Sequence, residues 1–251
     1  MVLTFDDIIS TRSEEAFLRV FQDAFFELGT SIIEAHQVLL RACYRNPGLS
    51  PGIKADTPEI FAQKWIRKYQ SGYDRRVSQR LSRPPGTIAD PIIDTILGAR
   101  LVGLTTEHLE QIKYAHRLSM SAENILGLLL EEFLAEQLAD YGWFCGWGGV
   151  IRHVDFCNRD GALLQIKNRS NSENSSSSRV RINQPIEKWY RVNAQTGEAQ
   201  WAYFNQKYDT DRFSEAHFVG FIQALLSKNP GALPIEAKNP WEFLSGTSDQ
   251  G

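Results

Sequence analysis

Val150-Ile-Arg-His-Val-Asp155-Phe-Cys-Asn-Arg-Asp160-Gly-Ala-Leu-Leu-Gln165-Ile-Lys167-Asn-Arg169 reads as a β-hairpin, with Asp155 on the first strand and Gln165 and Lys167 on the second. Asn158-Arg159-Asp160-Gly161 carries the turn, because an Asp-Gly step supplies positive φ at little steric cost. Side chains two apart share a strand face, so Gln165 and Lys167 project to one side and Leu164, Ile166 and Asn168 to the other. The turn then brings Asp155 beside Gln165 and Lys167. A carboxylate, a side-chain carbonyl and a strand carbonyl, here that of Ile166, are hard oxygen donors. They suit Mg²⁺, which keeps several waters and takes a substrate phosphate. Lys167 stands where it lowers the pKa of an attacking water or neutralises charge developing on a phosphorane. The layout is that of metal-dependent phosphodiester hydrolysis. An Asp and a Lys on adjacent strands also form ordinary cross-strand pairs, so the surrounding sequence has to decide.

Upstream, residues 121–141 read as an amphipathic helix closed by Gly142. Glu132, Glu136 and Asp140 recur at i, i+4 and i+8 and form an acidic stripe, which is expected to be a solvated face. Glu131 differs. Its neighbours at i−4, i−3, i+3 and i+7 are Gly127, Leu128, Leu134 and Leu138, so it points to the packed side, where a carboxylate needs a partner. It is a third candidate for the site, the plain alternative being burial at a helix edge.

Downstream, residues 170–178 are too rich in Ser and Asn to build a core and are bracketed by Arg169, Arg179 and Arg181. Short hydroxyl and amide side chains donate to phosphates and base edges, and Arg forks onto guanine in the major groove. Contacts to DNA are expected from Arg169, Asn171, Ser172, Asn174, Arg179 and Arg181. Lys188 and Arg191, in the following basic and aromatic stretch Glu187-Lys-Trp-Tyr-Arg191, extend the set. A low-complexity linker is the other reading of the polar segment.

Asp155 followed ten residues later by Gln165-Ile166-Lys167 resembles the PD-(D/E)XK nuclease motif. Gln stands at the second acidic position, and no Pro precedes Asp155. A helix before the first active-site strand often contributes a Glu in that superfamily, and Gly127-x-x-x-Glu131 resembles that spacing. The continuation through residues 167–181, Lys-Asn-Arg-Ser-Asn-Ser-Glu-Asn-Ser-Ser-Ser-Ser-Arg-Val-Arg, is similar to type II restriction endonucleases of the SinI kind. The resemblance implies an α/β (α+β) fold with a restriction-endonuclease-like core, a mixed β-sheet flanked by helices. It implies Mg²⁺-dependent cleavage of double-stranded DNA at GGWCC-like sites, leaving 5′-phosphate and 3′-hydroxyl ends. Asp155, Gln165, the Ile166 carbonyl and Glu131 would hold the metal, and Lys167 would assist the water. A two-fold homodimer suits a palindromic site, and a cognate DNA methyltransferase belongs to such a system. Gln165 in place of an acid removes one negative charge from the metal site. Two other readings stay open: a repair or structure-specific nuclease of the same fold, and a DNA-binding module that no longer cuts.

Composition bounds these readings. The chain has 251 residues, 42% of them hydrophobic, enough for a sizeable core. A net charge of −3 excludes nucleic-acid binding by bulk charge, so contacts must come from local patches. Residues 64–83, with seven basic groups against one acid, are one such patch, or else a solvated helical face. Cys43, Cys145 and Cys157 have no metal-ligand spacing and read as buried thiols of a reducing compartment. His153 is expected on the same strand face as Asp155; the other histidines sit in helical patterns. With neither a signal peptide nor a membrane-length apolar run, a cytoplasmic protein without membrane contact is expected.

Along the chain, residues 1–46 read as helical. A connector follows to Pro58, then helices near 57–71, 73–83, 89–100 and 105–118. A strand is expected at 199–206 and a helix near 213–228. The resulting division is a helical N-terminal region over 1–119, for dimerisation or flanking-DNA contact, a catalytic core over 120–230 and an irregular tail over 231–251.

Overall fold

Helices α1 (Phe5–Ile9), α2 (Glu14–Glu27) and α3 (Glu34–Arg45) open the chain, and α4 (Pro58–Asp74) follows a connector. The starts of α2 and α4 are written in their caps. Ser13 Oγ accepts the Ala16 N–H at 3.2 Å, and Thr57 Oγ1 accepts that of Ile60 at 3.3 Å with Pro58 at the first helical position. Phe17, Phe21 and Phe25 of α2, Leu39 and Cys43 of α3, and Phe61, Trp65 and Tyr69 of α4 recur at helical spacing and bury into one core with Phe5. His36 belongs to it, stacked on Phe25 with ring centroids 4.6 Å apart; burial pulls its pKa down to about 4, so the ring is a neutral core group. The computed structural model describes residues 4–84, 86, 90–170, 185–236 and 239–240.

Strands β1 (Trp143–Cys145), β2 (Phe156–Asn158), β3 (Leu163–Arg169) and β4 (Ile186–Val192) form one sheet in the order β1-β2-β3-β4. β1, β2 and β3 run antiparallel, and β3 and β4 run parallel. Alternation sends Cys157 and Leu163 into the core of α1 to α4. Trp189 faces the other way, with Trp201 at 5.2 Å and Phe204 at 4.7 Å. That second aromatic cluster draws on α7 (Ala202–Tyr208), α8 (Glu215–Lys228) and the C-terminal part of α6 (Thr106–Ala139), where Phe133 meets Trp201 and Phe218. The mixed sheet flanked by helices is the restriction-endonuclease-like core expected from the sequence.

Contacts group the chain into two compact units, Met1–Arg76 with Leu130–Phe221, and Val77–Leu129 with Ile222–Gly251. The sheet and both clusters lie in the first. In the second, which contains α5 (Ile92–Arg100), Lys113 bridges Asp94 and Glu110 at 2.7 and 2.8 Å, and Arg117 forks onto Glu236 at 2.6 and 2.9 Å.

Several local expectations are corrected. Residues 199–206 are not a strand: Ala199 makes a single bridge to Val192, and the chain turns into α7 because Trp201, Phe204 and Tyr208 follow helical spacing. The helix expected over 73–83 is absent beyond Asp74. There the Asn229 amide donates to the carbonyls of Val77 and Arg80, each at 2.9 Å, in place of a helical ladder. The helices expected at 105–118 and 121–141 are one 34-residue helix, α6, in which Ser121 Oγ bonds back to the Arg117 carbonyl at 3.0 Å without ending it. In the hairpin, pairing as a strand starts only at Phe156. His153 has a left-handed backbone, φ 68°, and lies outside the strand face assigned to it. Glu132 is not solvated: it is 4% exposed and faces Arg76 at 3.7 Å, a partner that periodicity cannot reveal.

Candidate active site

The hairpin turn closes as its residues require. Gly161 adopts φ 87°, its N–H bonds to the Asn158 carbonyl at 3.0 Å, and the Asn158 side chain accepts the Ala162 N–H at 2.7 Å. β2 and β3 pair Phe156 with Leu164 and Cys157 with Leu163, so one further step of that register sets Asp155 opposite Gln165. The step is made in part: the Asp155 N–H donates to the Leu164 carbonyl at 2.9 Å, and the ladder then stops. The Asp155 side chain takes over, its Oδ2 accepting the Ile166 N–H at 2.7 Å. A strand residue aims its N–H and C=O at the same edge, so the Ile166 carbonyl points to the edge that Asp155 occupies. On the other side, the Gly146 N–H donates to the Asp155 carbonyl at 2.9 Å, tying the residue to the end of β1.

Around this point the polar groups of one sheet face gather. Gln165 is buried, and its Oε1 makes no hydrogen bond among the described residues. A buried carbonyl oxygen without a donor is costly, and a cation would satisfy it. The Lys167 charge bears on Asp155, opposing the rise that burial imposes. Desolvation prevails over the Ile166 N–H and Lys167, and holds the Asp155 carboxyl up at about 6. Glu131 comes from α6, half-buried, and its carboxyl is raised to about 7 by burial first and then by the charge of Asp155. The two acids are therefore neighbours that resist ionising together. Burial and these same two charges hold the Cys145 thiol, at the end of β1, well above its ordinary range.

The donor set counts two carboxylates, an amide oxygen and a strand carbonyl. No group of three or more His, Cys, Asp or Glu side chains among the described residues is placed to hold a metal. A hard divalent cation nevertheless fits the chemistry present: it would relieve the repulsion between Glu131 and Asp155 and satisfy Gln165 Oε1, all through oxygen.

The residues expected to contact DNA divide. Asn171, Ser172, Asn174, Arg179 and Arg181 lie outside the described residues. Arg169, at the end of β3, and Lys188, on β4, are exposed. Arg191 is not laid open: its side chain is 13% exposed, Nε donates to Asn168 Oδ1 at 2.9 Å, and the other end of its guanidinium holds Glu215, which also accepts the Trp201 Nε1–H at 2.9 Å. In this arrangement Arg191 ties β3, β4 and α8 together. Cys145, whose thiol feels the charges of both acids, and Arg76, 3.7 Å from Glu132, belong to no motif; the signal that includes Arg76 is the basic stretch 64–83.

A mixed sheet flanked by helices, with β3 antiparallel to β2 and parallel to β4, is the core of the restriction-endonuclease-like class of proteins. Within that class, the family model of the SinI restriction endonuclease matches residues 22–228, and the chain belongs to this family. It is 41% identical over 150 residues to the type II restriction enzyme SinI of Salmonella infantis, covering 58% of this chain and 65% of that one. It is 40% identical over 154 residues to the type II restriction enzyme Eco47I of Escherichia coli, covering 59% and 66%. The match spans just under two thirds of the length of these curated relatives. No helix among the described residues is long and apolar enough to cross a membrane.

Proposed function

We propose that the protein is a type II restriction endonuclease, hydrolysing both strands of DNA at a specific site with Mg²⁺ and leaving 5′-phosphate and 3′-hydroxyl ends. The observation that carries the reading is the juxtaposition of Glu131 and Asp155 beside the unpartnered Gln165 Oε1, on a chain of the SinI family. Asp155, Glu131, Gln165 and the Ile166 carbonyl would hold the cation, which when bound supplies charge to the scissile phosphate and acidity to a water. Asp155 keeps its orientation through the Ile166 N–H. Lys167, on the same strand face as Gln165, bears on the nucleophile and on the charge developing at phosphorus. Glu131 and Asp155 deprotonate to receive the metal, so the acids work as a pair.

Arg169, Asn171, Ser172, Asn174, Arg179, Arg181 and Lys188 supply the contacts to DNA in this reading, with a GGWCC-like sequence as the first site to look for. The protein acts as a homodimer on a two-fold site, beside a cognate methyltransferase. Residues 1–119 serve dimerisation or flanking DNA, 120–230 catalysis, and 231–251 form the tail. The test is incubation of unmethylated phage DNA with the protein and Mg²⁺, next to Lys167→Ala and an EDTA control. Discrete bands, lost in both controls, are expected, and their ends give the site. A smear would replace site specificity with a repair-type nuclease, and intact DNA in a shifted complex would leave only binding.

A further inference from the structure

Glu132 follows Glu131 on α6 and is the more deeply buried of the two, at 4% exposure. Its cationic neighbour is Arg76, whose Nε lies 3.7 Å away and whose side chain is itself only 18% exposed. The Arg76 guanidinium lies over the Tyr73 ring, 3.5 Å from its centroid, and 5.8 Å from that of Trp147. It thus touches three elements: the end of α4, the tight turn after β1, and α6. The turn is itself locked to α4. A Cβ on Gly72 would fall 2.0 Å from the Gly148 nitrogen, and Trp65 Nε1 donates to the Val150 carbonyl at 3.3 Å. From the same turn, the Gly146 N–H holds the Asp155 carbonyl. One guanidinium therefore bears on both supports of the site: the helix that presents Glu131 and the turn that leads to Asp155.

We propose that Arg76, through its ion pair with Glu132, its stacking on Tyr73 and its place beside Trp147, is a positioning residue that sets the spacing between Glu131 and Asp155 for a divalent cation. The assignment rests on the metal-dependent reading above and adds to it a residue remote in sequence from the motif. A buried arginine of this kind holds its plane by stacking and its charge by the carboxylate, which a lysine does only in part. Groups that orient metal ligands without touching the metal typically change affinity by 10- to 100-fold when removed.

The test measures Mn²⁺ binding to the full chain without DNA, by the loss of free-ion electron paramagnetic resonance signal, alongside thermal unfolding and the kcat and KM of cleavage. Removing one partner of a buried pair risks the fold, so the main variant is Arg76→Met with Glu132→Leu, which replaces both charges by apolar groups. Glu132→Gln and Arg76→Lys accompany it. The double variant is expected to unfold within a few degrees of the wild type, to bind Mn²⁺ roughly tenfold or more weakly and to lose kcat with KM little changed. Arg76→Lys recovers part of the affinity. A folded double variant with wild-type Mn²⁺ affinity and kcat overturns the proposal. If the double variant unfolds, Glu132→Gln decides by the same affinity criterion. A wild-type protein that neither binds Mn²⁺ nor cuts DNA removes the metal-site reading and this assignment with it, whereas a wild type that does both beside unaffected variants removes the assignment alone.

Discussion

Replacing Glu131 with Gln is expected to make the metal-free protein more stable, and only above mildly acidic pH. In the folded protein the Glu131 carboxyl is raised from 4.5 to about 7 by burial and by Asp155. The folded state therefore holds a proton that the unfolded chain releases. The stability associated with that proton is fully present below pH about 4.5 and is lost as pH rises through about 7. At 1.36 kcal/mol per tenfold change, full ionisation would cost the fold about 3 kcal/mol, and partial solvent access reduces this to roughly 1–3 kcal/mol. Gln keeps the shape without the charge and avoids that cost. In a chain of this size each kcal/mol moves Tm by about 2–4 °C, so the variant should melt about 2–12 °C higher at pH 8 in EDTA. Most of the gap should open between pH 5 and 7. The assay is thermal unfolding by circular dichroism at pH 5, 6, 7 and 8 for both proteins. A gap equal at pH 5 and pH 8, or a variant less stable than the wild type at pH 8, would refute the view of Glu131 as a strained acid beside Asp155. The same variant should lose Mn²⁺ binding, the exchange of stability for function found at many active sites.

Other expectations are as direct. Because both acids must ionise to take a cation, Mn²⁺ affinity measured by titration calorimetry should fall by at least roughly tenfold from pH 7 to pH 5, where Asp155 (about 6) and Glu131 (about 7) are protonated. Lys167→Ala should lower kcat on a short duplex by roughly 10²–10³-fold, read in single-turnover cleavage, with metal affinity little altered. Gln165→Glu should tighten Mn²⁺ binding by about tenfold while lowering the Tm of the metal-free protein, since it adds a third buried negative charge. Gly72→Ala should destabilise by about 3 kcal/mol or fail to accumulate as soluble protein, because its Cβ would meet the backbone of Gly148 at 2.0 Å with no side chain to move aside.

Local rules carried much of the architecture. The caps at Ser13 and Thr57, the phenylalanines of α2 at helical spacing and the Asp-Gly turn at 160–161 each act over a few residues, so they can be read without knowing the fold. The strand alternation that puts Gln165 and Lys167 on one face, and the helical alternation that turns Glu131 from the solvent, are of the same kind. Where local rules compete, packing between distant segments decides. Residues 199–206 have strand-like composition, but α7 forms because Trp201 and Phe204 bury together against Trp189. Helical periodicity assigns Glu132 to a solvated stripe, whereas its partner Arg76 lies 56 positions away in the chain.

The hairpin, its turn and the helical core that supports it are legible in the chain alone, because they rest on periodicity, capping and backbone preference along a continuous stretch; the family likeness is legible there too, through Asp155, Gln165-Ile166-Lys167 and residues 167–181. The folded packing adds what no stretch of chain shows: the ladder breaks at Asp155 so that its carboxylate takes the Ile166 N–H, Gln165 Oε1 is buried without a donor among the described residues, and Arg76 stands behind Glu132. Those facts depend on which distant segments exclude water from the same few cubic ångströms. Desolvation and charge pairing belong to the assembled packing rather than to any window of the chain.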